Sequence, residues 1–368
     1  MESSRMTPAR LDELKRNGYV VIPNVVSLER ISAIRDSVNR FYETKHVGYV
    51  EGDISTRGLL DPSTRGLRSD PHLIEYWNLR TDMEIIKIFM TLHRVSHPRD
   101  LRVSFDRTLK VAARSTRAIS GTFHEVLNNT EHHNVHVDAG RTCLLDWSHM
   151  SVQGSICLTD NRGLDARGKN KGGFVVFPGG HLIHNEIVKL AQNNDDWIQL
   201  KPADINMLRT AHGLAQPELV ELGPGDMVLW LSQLPHMGAV PMFSERMMMY
   251  LCYKPVTGVP KDKLAKWDAR RVELFEQNRT TSHNPFPPKQ LPNPRTYGKP
   301  MAHRAPLAVY KHFLMSPESL CAIGRALVGY PLVSHVPISS LRPVSSLAKR
   351  KQEDFEDESV PKRIEQSK

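Results

Sequence analysis

Histidine at 136, aspartate two positions on at 138, and a lone histidine at 236 in Leu-Pro-His-Met-Gly are residue types that can share one metal ion. On extended backbone, side chains two positions apart project from one face, so His136 and Asp138 can reach the same ion, whereas helical spacing would splay them. A third ligand from a strand brought alongside completes a two-histidine, one-carboxylate set. That set holds Fe(II) on one face and leaves three positions open for a cosubstrate and O2. Arg246 lies ten residues beyond His236, enough for one strand to end, turn and start the next. A planar guanidinium there can take the far carboxylate of a dicarboxylate cosubstrate in a paired hydrogen bond, and 2-oxoglutarate has that chemistry.

The elements that must position these groups read mainly as strands. Residues 9–17 predict a short helix and 19–26 a strand rich in β-branched residues. Ser27 is placed as the N-cap of a helix reaching about residue 45, with Ile31, Ile34, Val38 and Phe41 at helical spacing. A second apolar helix is expected over 82–95, carrying Ile85, Ile86, Phe89 and Leu92. Strand-like runs fall at 101–105, 107–112, 141–145, 152–158, 173–177, 226–231 and 247–253. So many strands, without helices alternating between them, predict an antiparallel barrel or a double-sheet jelly roll. A helix is expected within 181–196, and loops over 48–70, 160–172 and 202–221, the places where specificity would reside.

Three further stretches occur in order around the metal-binding pattern: LDELKRNGYVVIPNVV from Leu11 to Val26, GGFVVFPGGH ending at His181, and GPGDMVLW ending at Trp230. Together with the ligand pattern they resemble the phytanoyl-CoA dioxygenase-like family of Fe(II)/2-oxoglutarate oxygenases, over roughly residues 11–255. The resemblance implies a mainly β fold with flanking α-helices around a double-stranded β-helix (jelly-roll, cupin-like) core. It also implies a role for each residue: His136, Asp138 and His236 as metal ligands and catalytic residues, and Arg246 as the anchor of 2-oxoglutarate. The implied reaction consumes O2, releases succinate and CO2, and hydroxylates a C–H bond of a small-molecule or acyl-type substrate. Two positions depart from the family pattern. Gly180 stands where a small hydroxyl residue is usual, and Gly238 where a hydroxyl often meets the cosubstrate. Asp138 matters in its own right, because related halogenases carry a small residue in place of the carboxylate; its presence disfavours halogenation.

Beyond the strands the composition changes. A polar helix is expected over 261–279, a proline-rich basic arm over 284–306, and a closing helix or dimerisation element over 307–333. The resulting division is a helical and strand buttress over 1–95, a catalytic core over 96–260, a C-terminal helix and arm over 261–344, and a charged, disordered tail over 345–368. At 368 residues, 40% hydrophobic and 24% charged, the chain can bury a large core. No apolar run is long enough to span a bilayer, so an intracellular, cytoplasmic protein is the expectation. Cys143, Cys157, Cys252 and Cys321 are too widely spaced for a metal knuckle and read as free thiols. A net charge of +9 suits an acidic partner such as nucleic acid, but it comes with no nucleic-acid motif and also fits a solvated basic surface. Lys349, Arg350 and Lys351 with Lys362 and Arg363 match a bipartite nuclear signal, against the plainer reading of tail charge. Histidines 124, 132, 133, 149, 181 and 184 are weaker site candidates. The competing non-enzymatic reading is a jelly-roll binding or scaffold protein; a third is a nucleic-acid or protein oxidase of the same superfamily.

Overall fold

Caps written into the sequence start the first helices. In the computed structural model, which describes residues 4–60, 67–111, 135–140, 151–163, 171–191, 197–239, 245–292 and 303–331, α1 (Pro8–Asn17) begins where Thr7 Oγ1 accepts from Arg10 N at 3.3 Å. It ends at Gly18, in the left-handed region at φ 81°. After β1 (Tyr19–Ile22), Ser27 caps α2 (Leu28–Lys45), whose Ile31, Ile34, Val38, Phe41 and Tyr42 are buried. Asp82 caps α4 (Met83–His93), which packs Ile85, Ile86, Phe89 and Leu92 into the same core. Ahead of it lies α3 (Ile74–Arg80), which the sequence reading did not assign.

Among the described residues the strands make two antiparallel sheets. The larger runs β1, β10 (Met227–Leu231), β6 (Val152–Cys157), β12 (Arg246–Pro255), β4 (Thr108–Val111) and β2 (Leu67–Arg68), and β3 (Leu101–Val103) also pairs with β12. The smaller runs β8 (Ile198–Gln199), β5 (His136–Val137), β11 (His236–Ala239), β7 (Gly173–Val176) and β9 (Glu218–Val220). The chain crosses between the sheets from β5 to β6, back to β7, and again around β10, β11 and β12. That is the double-stranded β-helix.

Period-two alternation decides what each face does. From the large sheet, Met227, Leu229, Leu231, Met247, Met249, Leu251 and Tyr253 pack outward with α2, α3 and α4. Their neighbours Val228, Trp230 and Met248 point inward, where they meet Phe174 and Val176 of the small sheet. The small sheet's opposite face, with Val137, Val175 and Met237, is covered by α5 (His184–Lys189) and α6 (Pro202–His212) through Ile187, Ile205 and Leu208. The methionines at 247–249 therefore fill both layers.

Three expectations need correction. Residues 202–221 are not a loop: they hold α6 and β9, with Pro202 in the first turn, the Asp204 carboxylate accepting from Lys201 N at 2.7 Å, and Gly213 closing the helix at φ 70°. Residues 307–333 do not form one closing helix but two short ones, α8 (Leu307–Tyr310) and α9 (Ala322–Val328), after α7 (Lys261–Glu276). The loop over 48–70 contains a turn of 3₁₀-helix at Ile54–Leu59 and the strand β2. The expected strand at 141–145, Cys143, and the tail beyond 345 lie outside the described residues. Among those described, no helix is long and apolar enough to cross a membrane.

The turn into β10 tolerates only glycine at 225. Its φ is +89°, and a Cβ there would lie 2.2 Å from the Val26 carbonyl oxygen. Val26 N in turn donates to Gly225 O at 3.1 Å, so the two segments are tied where they nearly touch. Gly225→Ala is expected to destabilise the fold by about 2–4 kcal/mol, read as a fall in melting temperature. An unchanged melting temperature would show that the turn relaxes freely.

Candidate metal centre

β11 and β5 pair with His236 directly opposite His136, which sets their rings 4.4 Å apart between centroids. Asp138 follows at the end of β5, where its N–H donates to Ser232 O at 2.9 Å. His136 Nε2 then lies 3.8 Å from Asp138 Oδ1, and His236 Nε2 3.5 Å from Oδ2. One ligand atom from each of the three falls within 4.8 Å of the other two. Two imidazoles and a carboxylate converging on one point are the donor set suited to Fe(II), so these residues fit the ion that their spacing implied.

The surroundings orient the donors. His236 Nδ1 donates to Leu234 O at 2.8 Å, which turns Nε2 toward the centre. Gln153 Nε2 donates to Asp138 Oδ2 at 2.8 Å and to Ser232 Oγ at 3.2 Å. Burial pushes the Asp138 carboxyl up, but His136, the hydrogen bond from His236 and the charge of His283 outweigh it and hold Asp138 well below the usual carboxylate range. Phe174 and Trp230 pack at 5.5 and 5.7 Å from the His236 ring, and Trp197 at 5.6 Å from His136.

Arg246 opens β12, and its residue is 2% exposed. Gly238 connects it to the triad: two positions after His236 on β11, it shares that face, and a Cβ there would sit 3.4 Å from Arg246 Nη1. The guanidinium also donates to Met248 Sδ at 3.2 Å. Burial lowers its pKa, opposed by Tyr250 and Cys157, yet a guanidinium stays protonated in such surroundings. Gly180, the other departure from the family pattern, has a packing cause, since a Cβ there would meet Pro235 at 2.7 Å.

Of the weaker histidine candidates, 124, 132, 133 and 149 lie outside the described residues. His181 donates from Nε2 to Lys15 O at 2.9 Å and so ties the 179–183 turn to α1. His184 is buried at the start of α5. The sequence reading missed Gln153 and Trp197. Gln153 was findable, being a polar side chain at an inward position of an otherwise small and apolar strand. The free thiols Cys157 and Cys252 are buried, which pushes them up to about 11 and 12 and leaves them inert.

A family model described as phytanoyl-CoA dioxygenase matches residues 14–240. Among curated proteins, the chain is similar to the Ava biosynthesis cluster protein O of Aspergillus versicolor, 25% identical over 263 residues that cover 66% of this chain and 76% of that one. Among solved structures, it is similar to the epimerase SnoN in complex with Fe3+, alpha ketoglutarate and nogalamycin RO, at 16% identity and TM-score 0.43 over 68% of this chain and 83% of that one. It is likewise similar to HygX from Streptomyces hygroscopicus with nickel and 2-oxoglutarate bound, at 15% identity and TM-score 0.41 over 68% and 88% of the two chains.

Gln153→Leu removes the donor that orients Asp138 while keeping the volume. Divalent metal affinity, measured by calorimetric titration, is expected to fall about 10- to 100-fold. An unchanged dissociation constant would mean that the backbone alone aims the carboxylate.

Proposed function

The chain belongs to the phytanoyl-CoA dioxygenase family and is a 2-oxoglutarate-dependent oxidoreductase, and from that premise we propose that it hydroxylates a C–H bond of a small organic substrate. In this reading His136, Asp138 and His236 hold Fe(II), and Arg246 seats 2-oxoglutarate. The single observation that carries it is the convergence of two imidazoles and a carboxylate across the β5–β11 pairing, with Arg246 of the opposed sheet reaching to Gly238 on the same strand as His236. When bound, the ion couples oxidative decarboxylation of 2-oxoglutarate, to succinate and CO2, with oxidation of the substrate by O2.

The protein's own part is positioning. The Leu234 carbonyl keeps the His236 Nε2 lone pair available, and Gln153 keeps the Asp138 carboxylate turned inward. Arg246 offers a rigid fork of donors in a low-dielectric wall, where a charge-assisted pair with a carboxylate is far stronger than in water. Phe174 and Trp230 exclude water around His236. The name of the Aspergillus versicolor relative places it in a biosynthesis cluster, which supports a small-molecule substrate.

The decisive experiment is anaerobic titration of the protein with Fe(II), with and without 2-oxoglutarate, following the weak visible charge-transfer band of the ternary complex. His136→Ala and His236→Ala are each expected to abolish iron retention and substrate-independent turnover of 2-oxoglutarate, because two protein ligands hold Fe(II) poorly. Wild-type succinate production by either variant would remove that histidine from the ligand set.

Arg246→Ala is expected to keep iron and lose about 2–5 kcal/mol of 2-oxoglutarate affinity. An unchanged Michaelis constant for 2-oxoglutarate would refute the anchor.

A further inference from the structure

β12 pairs with both β3 and β4, but the two registers do not match. Tyr253 lies opposite Val103 and Met249 opposite Thr108. Residues 250–252 of β12 therefore face residues 104–107, three against four. The extra residue is a β-bulge, a device that bends a strand and re-aims a side chain, often beside an active site. Asp106 sits in it.

Both flanks of the bulge are pinned. Ser104 N donates to Cys252 O at 2.8 Å, and Ser104 Oγ accepts from Cys252 N at 3.1 Å. On the other side Phe105 N donates to Thr281 Oγ1 at 3.0 Å and Thr281 N to Phe105 O at 2.9 Å, which brings His283 to the same place. Arg107 sends its guanidinium away, to Pro292 O at 3.0 Å. Among the described residues the hydrogen-bond donor to Asp106 is the adjacent Arg107 backbone N–H, at 2.7 Å.

The bulge lies beside the metal centre: Ser104 and Gln153 flank Cys252 on opposite sides of β12, and the Gln153 side chain reaches Asp138. Asp138 feels the charge of His283, and Tyr250 feels those of Asp106, Asp138 and Arg246. Burial pushes Asp106 up to about 6, with His283 and the Arg107 N–H opposing and Asp138 adding to the rise. A carboxylate in such a wall is stabilised by each donor it gains, and a substrate N–H or O–H can add to the Arg107 N–H. At the triad's other side, Trp197 is 46% exposed with its ring 5.6 Å from that of His136. A large exposed aromatic surface thus borders the same ligands.

We propose that Asp106 is a substrate-recognition residue whose carboxylate accepts a hydrogen bond from an ammonium or hydroxyl group of the substrate, while Trp197 packs against an apolar ring. The preferred substrate is then a ring-bearing amine or alcohol rather than an anionic acyl chain, which Asp106 would repel. This rests on the metal-centre reading above and narrows its substrate class.

The test uses the full chain loaded with Fe(II) and 2-oxoglutarate under anaerobic conditions, with binding measured by calorimetry at about pH 8, where Asp106 is ionised. The probes are phenethylamine, 2-phenylethanol and 3-phenylpropanoate, which share a ring and differ in head group. Affinity is expected to fall in that order, with the amine at least about tenfold tighter than the carboxylate. Asp106→Asn should bring amine and carboxylate within about threefold of each other, as the charge is removed with little change of shape. Trp197→Ala should weaken all three alike and preserve their order.

Equal binding of the three probes to the wild type, no binding of the amine, or an unchanged order in Asp106→Asn would each overturn the inference. The wild-type order stands as a test by itself should a variant fail to fold. The charge-transfer band separates the two levels: a normal band without a head-group order defeats this inference alone, whereas a missing band defeats the metal-centre reading beneath it.

Discussion

The pairing of His236 with His136 across β11 and β5 is the constraint on which the rest of the structure depends. Two of the donors come from one strand end and the third from its neighbour, so their convergence is set by strand register. A slip of one residue would turn His236 to the outer face and Met237 inward. Because β5 spans only two residues, its own ladder cannot hold that register. Val137, Val175 and Met237 hold it, buried on the reverse face against α5 and α6. The Asp138-to-Ser232 bond then locks the chain where β5 ends.

The larger sheet plays the complementary part. Its outward side chains are welded to α2, α3 and α4, which makes it a stiff wall, and its inward ones are free to carry polarity. Even the buried Lys110 on its outward face is matched, by Asn39 at 2.8 Å and by Glu51 and Glu245 at 2.9 Å. Arg246 starts β12, where it pairs with Val111 of β4, and β6 joins on the other side from Met248, so its side chain springs from the sheet rather than from a loop. Precision of this kind is what the proposed bidentate contact with 2-oxoglutarate requires.

The glycines at 180 and 238 show how a family pattern can bend without losing its chemistry. At 180 the neighbouring proline ring occupies the space a side chain would take, and at 238 the guanidinium of Arg246 stands against the bare backbone. The absent hydroxyls therefore reflect local packing around an intact donor set.

What the sequence determined by itself was everything that depends on short-range periodicity and local capping. His136 and Asp138 could be assigned to one face because side chains alternate along extended backbone, and α2 could be bounded because Ser27 and its apolar positions obey local rules. The helix at 202–212 is written locally too, in Pro202, Asp204 and Gly213. Tertiary structure alone decided which inward residues meet. Gln153 reaches Asp138 because β6 and β5 lie in opposed sheets, and Gly238 meets Arg246 because the chain changes sheets between them. The bulge that turns Asp106 exists only in the mismatch of β3 and β4 against β12. Such contacts join residues from different sheets and from distant parts of the chain, and their register is set by packing on the far faces of those sheets, which no local pattern records.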